Sequence, residues 1–546
     1  VMDKSVAVAR WRFPTAKARL VALAVATTVV ASARADDHRT REALRRGRVP
    51  LRTLVINEGD VALFDGQVQA LPLVRWSRAQ PLRVGELAMD ITTEFRPSAP
   101  HHAASAISRL SRYCGATVIR SGRAVALRYR PRAPSPQAQC TASLRHLFEL
   151  RDAGWTSDRE VQVRQQVGRL SAPLQTATAV LLSALLDAHQ MCASELASLG
   201  IEDHRRLVSF LERYLYNQQT ALEEGIAKDR QDEYRELRDC LAGFDHRIVC
   251  GAAQNVIHAA QLVLPLIQHA ARQPDGGSLD VQTPLGRVVV GNTGNDRYDG
   301  RPAVLVIDLG GNDHYGAAGQ NHWPLQAVSM SIDVEGNDTY SAAEPSTHSF
   351  GAGMCGIGLL FDLKGDDRYR AADQSQGFAV LGVGLLYDAA GDDQYLARAG
   401  GQGAAVAGQA LLIDLAGHDR YRITTAGQGH AGPSAAAALV DMHGNDEYEA
   451  GDEGKTYPSY QSPRHTACYA QGCGRGIRAD RRYGHGAAGG IGLLYDASGD
   501  DHYRAEVFGQ GVGYWHGLGL LIDAAGSDCY EGHQHVQGAG VHFSAG

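Results

Sequence analysis

The second half of this chain repeats one phrase of eleven residues, and a repeat at a short fixed period restricts a chain to stacked architectures whose units all fold alike. LLFDLKGDDRY ends at Tyr369, LLYDAAGDDQY at Tyr395, LLIDLAGHDRY at Tyr421, LLYDASGDDHY at Tyr503 and LLIDAAGSDCY at Tyr530. Looser copies end at Tyr315, Tyr340 and Tyr448, and a degenerate first copy, VVVGNTGNDRY, ends at Tyr298. That makes about nine copies, most of them roughly 25 to 29 residues apart. A unit of about 26 residues holds three short strands and three turns, the size of one coil of a parallel β-helix. Residues 277–546 are therefore predicted to form a parallel β-solenoid of about nine or ten coils. Gln-Gly follows the tyrosine at a constant offset, in Gln376, Gln402, Gln428, Gln510 and Gln537, which predicts a glutamine ladder with side-chain amides bonded coil to coil. The period breaks between Asp446 and Asp501, where inserted loops around residues 449–488 interrupt the coils.

At 546 residues the chain exceeds a single core, so a multidomain organisation is expected. Lys4, Arg10, Arg12, Lys17 and Arg19 precede an apolar run from Leu20 to Val30, and Ala33-Arg34-Ala35 follows as a small-residue cleavage site. That order reads as a secretory signal peptide over residues 1–35, too short and wrongly flanked for a membrane span. No later stretch reads as a membrane helix, so the mature protein is expected to be exported, periplasmic or extracellular, with no transmembrane span. Residues 36–135 begin with a charged, mobile-looking stretch. Strand-like runs then follow at Leu54 to Ile56, Ala116 to Ile119 and Ala124 to Tyr129, with a helical stretch near His102 to Tyr113, which together predict a small α+β module. Residues 136–275 show apolar residues at helical spacing, from Leu144 through Leu207 to Ile267, and predict a helical domain that caps the first coil.

Charge and cysteines limit the chemistry. From residue 280 onward there are 32 Asp plus Glu against 16 Lys plus Arg, a net −16 in a chain whose total is −7. An acidic array argues against nucleic acid as a partner and for cations. The nine cysteines match no zinc or haem spacing, and in an exported protein they are expected as disulfides or buried thiols, with Cys468 and Cys473 close together in a loop.

Each repeat offers D-x-x-G-x-D. Stacked coils would set equivalent aspartates about 4.8 Å apart, giving one row of Asp308, Asp333, Asp362, Asp388, Asp414, Asp441, Asp496 and Asp523 and a second of Asp313, Asp338, Asp367, Asp393, Asp419, Asp446, Asp501 and Asp528. Like charges at that distance repel by roughly 1 kcal/mol even in water. Two readings answer this. Calcium, a hard cation taking six to eight oxygens, would neutralise the rows, or each Asp would cap its own turn by accepting backbone N–H groups. The tyrosine of each phrase reads as a stacked packing ladder, with an exposed row binding sugar rings as the alternative.

Gly291-Asn292-Thr293-Gly294-Asn295-Asp296-Arg297-Tyr298 has the form G-x-x-G-x-D-x-aromatic, and Gly-Asn-Asp recurs at Gly311-Asn312-Asp313, Gly336-Asn337-Asp338 and Gly444-Asn445-Asp446. These turns resemble the haemolysin-type calcium repeat. The resemblance implies a parallel β-roll in which Asp296 and the second aspartate row ligate calcium between turns. It covers six to eight residues of each unit, and the period here is about 26 in place of nine.

No G-x-S-x-G elbow, H-E-x-x-H helix or phosphate loop occurs, so the sequence leans away from an enzyme. The preferred reading is an exported calcium-binding repeat protein with a structural or adhesive role, its partner an envelope component or a glycan. The alternative is a carbohydrate-active enzyme, a polysaccharide lyase or hydrolase on a β-helix scaffold. Its site would be the loop insertion, with His465, His485 and Arg481 as catalytic candidates and Tyr457, Tyr460, Arg464, Arg478 and Arg482 as ligand contacts. His533, His535 and His542 add an H-x-H signal for a transition metal.

Overall fold

The computed structural model describes residues 71–80, 83–95, 102–113, 133–215, 246–273, 277–342, 348–478, 487–542 and 544–546. The signal-like segment, the strand-like runs at 54–56, 116–119 and 124–129, Cys114, Cys240, Arg481, Arg482 and His485 lie outside the described residues.

Every phrase folds the same way because its residues alternate between two faces of one strand. In the strand Val383–Asp388, Leu385 and Tyr387 face one way, and Leu386 and Asp388 the other. The strand pairs in parallel with Ile357–Asp362 before it and Gln409–Asp414 after it, and the register sets Asp362, Asp388 and Asp414 side by side. A tight turn leads into a second strand, Gln394–Gly401, which stacks Tyr395 between Tyr369 and Tyr421. A two-residue strand, Ala405–Val406, makes the third side, and the chain enters the next coil. The first strands build a ten-stranded sheet, the second strands a nine-stranded one, and the third sides two three-stranded sheets. Nine parallel strands and their connections make about eight turns, fewer than the nine or ten coils expected, because the nine phrases bound eight intervals. The tenth strand, Leu279–Thr283, pairs antiparallel with Gly286–Val290 and closes the first edge.

Eight described helices precede the coils: α1 (Pro72–Ala79), α2 (Val84–Phe95), α3 (His102–Tyr113), α4 (Pro136–Glu149), α5 (Ser157–Arg169), α6 (Ala172–Glu195), α7 (Ile201–Leu215) and α8 (His246–Ala271). Ser135 caps α4 through the Ala138 N–H, and Thr156 caps α5 through the Arg159 N–H. The helices do more than cap the first coil. Helices α4 and α5 meet the Leu279–Thr283 strand, α6 meets Val328–Ile332, α8 meets Val383–Asp388, α3 meets Gln409–Asp414 and Ala436–Asp441, and α2 meets Leu518–Asp523. They therefore lie along the whole flank of the ten-stranded sheet. Leu359, Phe361, Leu385, Tyr387, Leu411 and Ile413 share one core with Leu144, Leu181, Leu185, Val256 and Ile257. That is why the sheet strands are buried on both faces.

Helix α8 corrects the expectation that no later segment has membrane length. Among the described residues it alone is long and apolar enough to cross a bilayer, and 67% of its apolar window is buried inside the protein, where it packs on α6. Of the two expectations for the cysteines, the buried thiol is the one met: among the described residues no two cysteines form a disulfide, Cys468 and Cys473 included, and six of the seven are buried.

Candidate metal centre

The first aspartate ends its strand with its side chain turned inward, and each of its oxygens has a fixed partner. Oδ1 accepts the backbone N–H two residues on, from Ala390 to Asp388 at 3.2 Å and from Ala416 to Asp414 at 3.1 Å. This is the turn cap expected of Asp in such a loop. Oδ2 accepts the hydroxyl of the preceding coil's tyrosine: Tyr340 to Asp362 at 2.6 Å, Tyr369 to Asp388 at 2.7 Å, Tyr395 to Asp414 at 2.7 Å, Tyr421 to Asp441 at 2.6 Å and Tyr448 to Asp496 at 2.6 Å. Tyr298 and Tyr315 donate likewise to Asp308 and Asp333. The tyrosines stack with ring centroids 4.5–4.9 Å apart and are buried from Tyr298 to Tyr503, so this row is packing and carries no exposed sugar platform.

The second aspartate binds in the other direction. Its Oδ1 accepts the backbone N–H of the equivalent aspartate one coil earlier: Asp313 to Asp338 at 2.6 Å, Asp367 to Asp393 at 2.6 Å, Asp393 to Asp419 at 2.7 Å and Asp446 to Asp501 at 2.7 Å. The residue just before it runs a counter-ladder, donating its N–H to the side chain of its equivalent one coil earlier, as in Asn337 to Asn312 Oδ1 at 2.9 Å and Asp500 to Asn445 Oδ1 at 2.8 Å. Backbone N–H groups thus occupy Oδ1 in both rows, from the same turn in the first and from the preceding coil in the second. They leave Oδ2 of Asp313, Asp338, Asp367, Asp393, Asp419, Asp446 and Asp501 buried without any partner.

Those orphaned oxygens do not stand alone. Carboxylate oxygens of Asp308, Asp313 and Asp333 lie within 4.8 Å of one another, as do those of Asp333, Asp338 and Asp362, of Asp362, Asp367 and Asp388, and of Asp388, Asp393 and Asp414. Each trio joins both aspartates of one coil to the first aspartate of the next. Burial first, and the neighbouring carboxylates after it, raise their pKa: Asp338 and Asp446 to about 7, Asp496 to about 8, Asp393 and Asp419 to about 11. Asp313 and Asp501 rise to about 6, again mainly through burial. The row needs positive charge, and protons or a hard cation can each supply it. With two carboxylates per coil, one divalent ion per coil would neutralise it, and an all-oxygen donor set fits calcium. In the last described coil the pattern changes: Asp523 accepts from Tyr530 of its own coil.

The Gln row departs from amide-to-amide pairing. Gln402, held at φ +55°, donates Nε2 to Tyr395 O and Arg422 O, both at 3.0 Å, and Gln376, Gln428, Gln471 and Gln510 repeat this with backbone carbonyls of two coils. Their Oε1 atoms are buried and unpartnered.

The loop candidates have separate surroundings. Tyr460 and Arg464 are exposed, Tyr457 sits near Arg398 and Asp373, and Arg478 meets His542 at 3.4 Å. Arg475, in the same insertion, is buried between the rings of Tyr214 and Tyr469 and donates to Tyr214 O at 3.0 Å, fastening α7 to the coils. His465 stacks on His533 with ring centroids 3.6 Å apart, while His535 stacks on Phe508 and His542 lies edge-on to Tyr514, so the three C-terminal histidines have different neighbours. The tyrosine hydroxyl as a donor to the ladder was the contact missed in the sequence. Its signal was there, since tyrosine stands at that position in all nine phrases where phenylalanine would pack as well.

No family model, curated protein or solved structure matches the chain.

Proposed function

We propose that this is a calcium-binding structural repeat protein, exported to the cell envelope or beyond, whose aspartate rows take up cations along the inside of one solenoid corner. The observation that carries the reading is the line of seven buried carboxylate oxygens without donors, each flanked by further carboxylates. Asp313, Asp338, Asp367, Asp393, Asp419, Asp446 and Asp501 would offer Oδ2, with the first-row aspartates bridging neighbouring sites. The ion would supply charge neutralisation and cross-link successive turns. The signal-like N-terminal sequence supports export to a calcium-rich compartment, and exposed loop residues such as Tyr460 and Arg464 are where an envelope component or a glycan would make contact. The carbohydrate-active alternative lacks comparable support, because Arg475 is committed to packing and the tyrosine row is interior.

Thermal unfolding of the full chain in calcium, in magnesium and in chelator tests this. A ligand of the folded state alone adds about 2.7 kcal/mol at a hundredfold excess over its dissociation constant. A calcium-specific rise in Tm is expected. Equal curves in all three conditions would leave the row to protons and end the proposal.

A further inference from the structure

The outward residues of the nine-stranded sheet form rows of their own. Register aligns Arg420, Glu447, His502 and Cys529 in one row, and Arg422, Glu449, Arg504 and Glu531 in the next. Across the middle coils these rows are cross-coil ion pairs, Arg420 with Glu447 at 3.2 Å and Arg504 with Glu449 at 3.5 Å. In the last two coils the chemistry changes. His502 offers an imidazole nitrogen, Cys529 a thiol and Glu531 a carboxylate oxygen, and the three atoms lie within 4.8 Å of one another. His502 Nε2 is 3.6 Å from Glu531 Oε1. All three side chains are exposed, and Cys529 is the one exposed cysteine among the described residues, the other six being buried.

We infer that His502, Cys529 and Glu531 form a surface site for a zinc-class transition metal. Nitrogen, sulfur and oxygen donors together are the set that zinc takes, at about 2.0 Å to nitrogen and about 2.3 Å to sulfur, which places tetrahedral ligand atoms about 3.5 Å apart. The backbone is already arranged for this. His502 and Cys529 stand directly opposite each other on adjacent parallel strands, and Glu531 is two residues along on the same face as Cys529, so only side-chain rotation is needed to close the tripod. Three protein ligands leave a fourth position open to water or to a partner's side chain. The thiol and imidazole set it apart from the aspartate rows, since calcium selects oxygen.

Cobalt titration of the full chain, with calcium in excess to occupy any all-oxygen site, reads the tripod directly. A thiolate-to-cobalt charge-transfer band saturating at one ion per chain is expected, bleached by added zinc and absent in Cys529→Ser. His502→Gln is expected to keep the band but bind roughly 10- to 100-fold more weakly, the scale on which even an indirect ligand partner acts. Circular dichroism of both variants checks that the exposed substitutions leave the fold intact. The site is overturned by no band in the unaltered chain, by a band that survives Cys529→Ser, or by saturation at one ion per two chains.

Discussion

A methyl group placed on Gly391 would sit 1.4 Å from the carbonyl oxygen of Gly365, and the same contact recurs at 1.6 Å for Gly417 on Gly391 and at 1.5 Å for Gly526 on Gly499. The glycine of each D-x-x-G-x-D is thus required by the close stacking of turns. Gly391→Ala is expected to destabilise the chain by about 3 kcal/mol or more in urea unfolding, because the obstructing atom is backbone and cannot turn aside. Tyr395→Phe removes the donor to Asp414 and is expected to cost about 1–3 kcal/mol, the usual penalty of stranding a buried acceptor. Asp393→Asn keeps the shape and the oxygen that accepts from the Asp367 N–H, but supplies donors where an oxygen was orphaned. In chelator it is expected to raise Tm, and in calcium to lower the gain that the ion confers. A loss of Tm in both conditions would count against a charge-limited ladder.

At the scale of the element, the first strand of each coil has no solvent face. Leu386 packs with the tyrosine row inside the coil, and Leu385 packs with the helices outside. Leu385→Ala and Leu386→Ala are therefore both expected to cost about 2–5 kcal/mol by urea denaturation. An exposed outer face would make the first nearly neutral. The periodicity of L-L-Y-D already placed Leu386 and Asp388 on one side. It said nothing of what covers Leu385, because a strand pattern records that a face is apolar and not which element meets it. The same limit hid Arg475, which in sequence is one of several arginines in a loop and in the fold is the polar bolt between α7 and the coils.

For the molecule as a whole, the shared core means that the coils and helices unfold together, so stability is best measured on the full chain. Its pH dependence has two opposing parts. The ladder carboxyls titrate higher when folded, between about 6 and about 8 for Asp313, Asp338, Asp446, Asp496 and Asp501, so the folded state holds more protons there than the unfolded one. In chelator, their contribution to stability is expected to fall from about pH 4, where the unfolded carboxyls ionise, up through that window, and the calcium-dependent gain is expected to be greatest above it, where ion and proton no longer compete. Buried His430 is pushed down to about 3 by burial and by Arg475, so the unfolded state is the one that gains a proton there as pH falls below about 6.5, and this one contribution declines on that side. With five ladder protons set against this one histidine, urea midpoints in chelator should be highest at about pH 4 and decline towards about pH 8. A midpoint that climbs steadily to pH 9 would contradict the ladder's protonation.

The repeat by itself determined the parallel stacking, the two aspartate rows, the row of stacked tyrosines and the place of the interrupted coil, because every unit is held by the same few contacts between residues at one period. Tertiary structure alone decided the rest. It laid the helices along the whole sheet and not over its first strand alone, left the described cysteines without a disulfide among them, and divided the second-row carboxylates between a bonded and an orphaned oxygen. Those outcomes depend on distances between segments far apart in the chain, down to the tenths of an ångström that separate a hydrogen bond from an empty lone pair, and no local pattern encodes them.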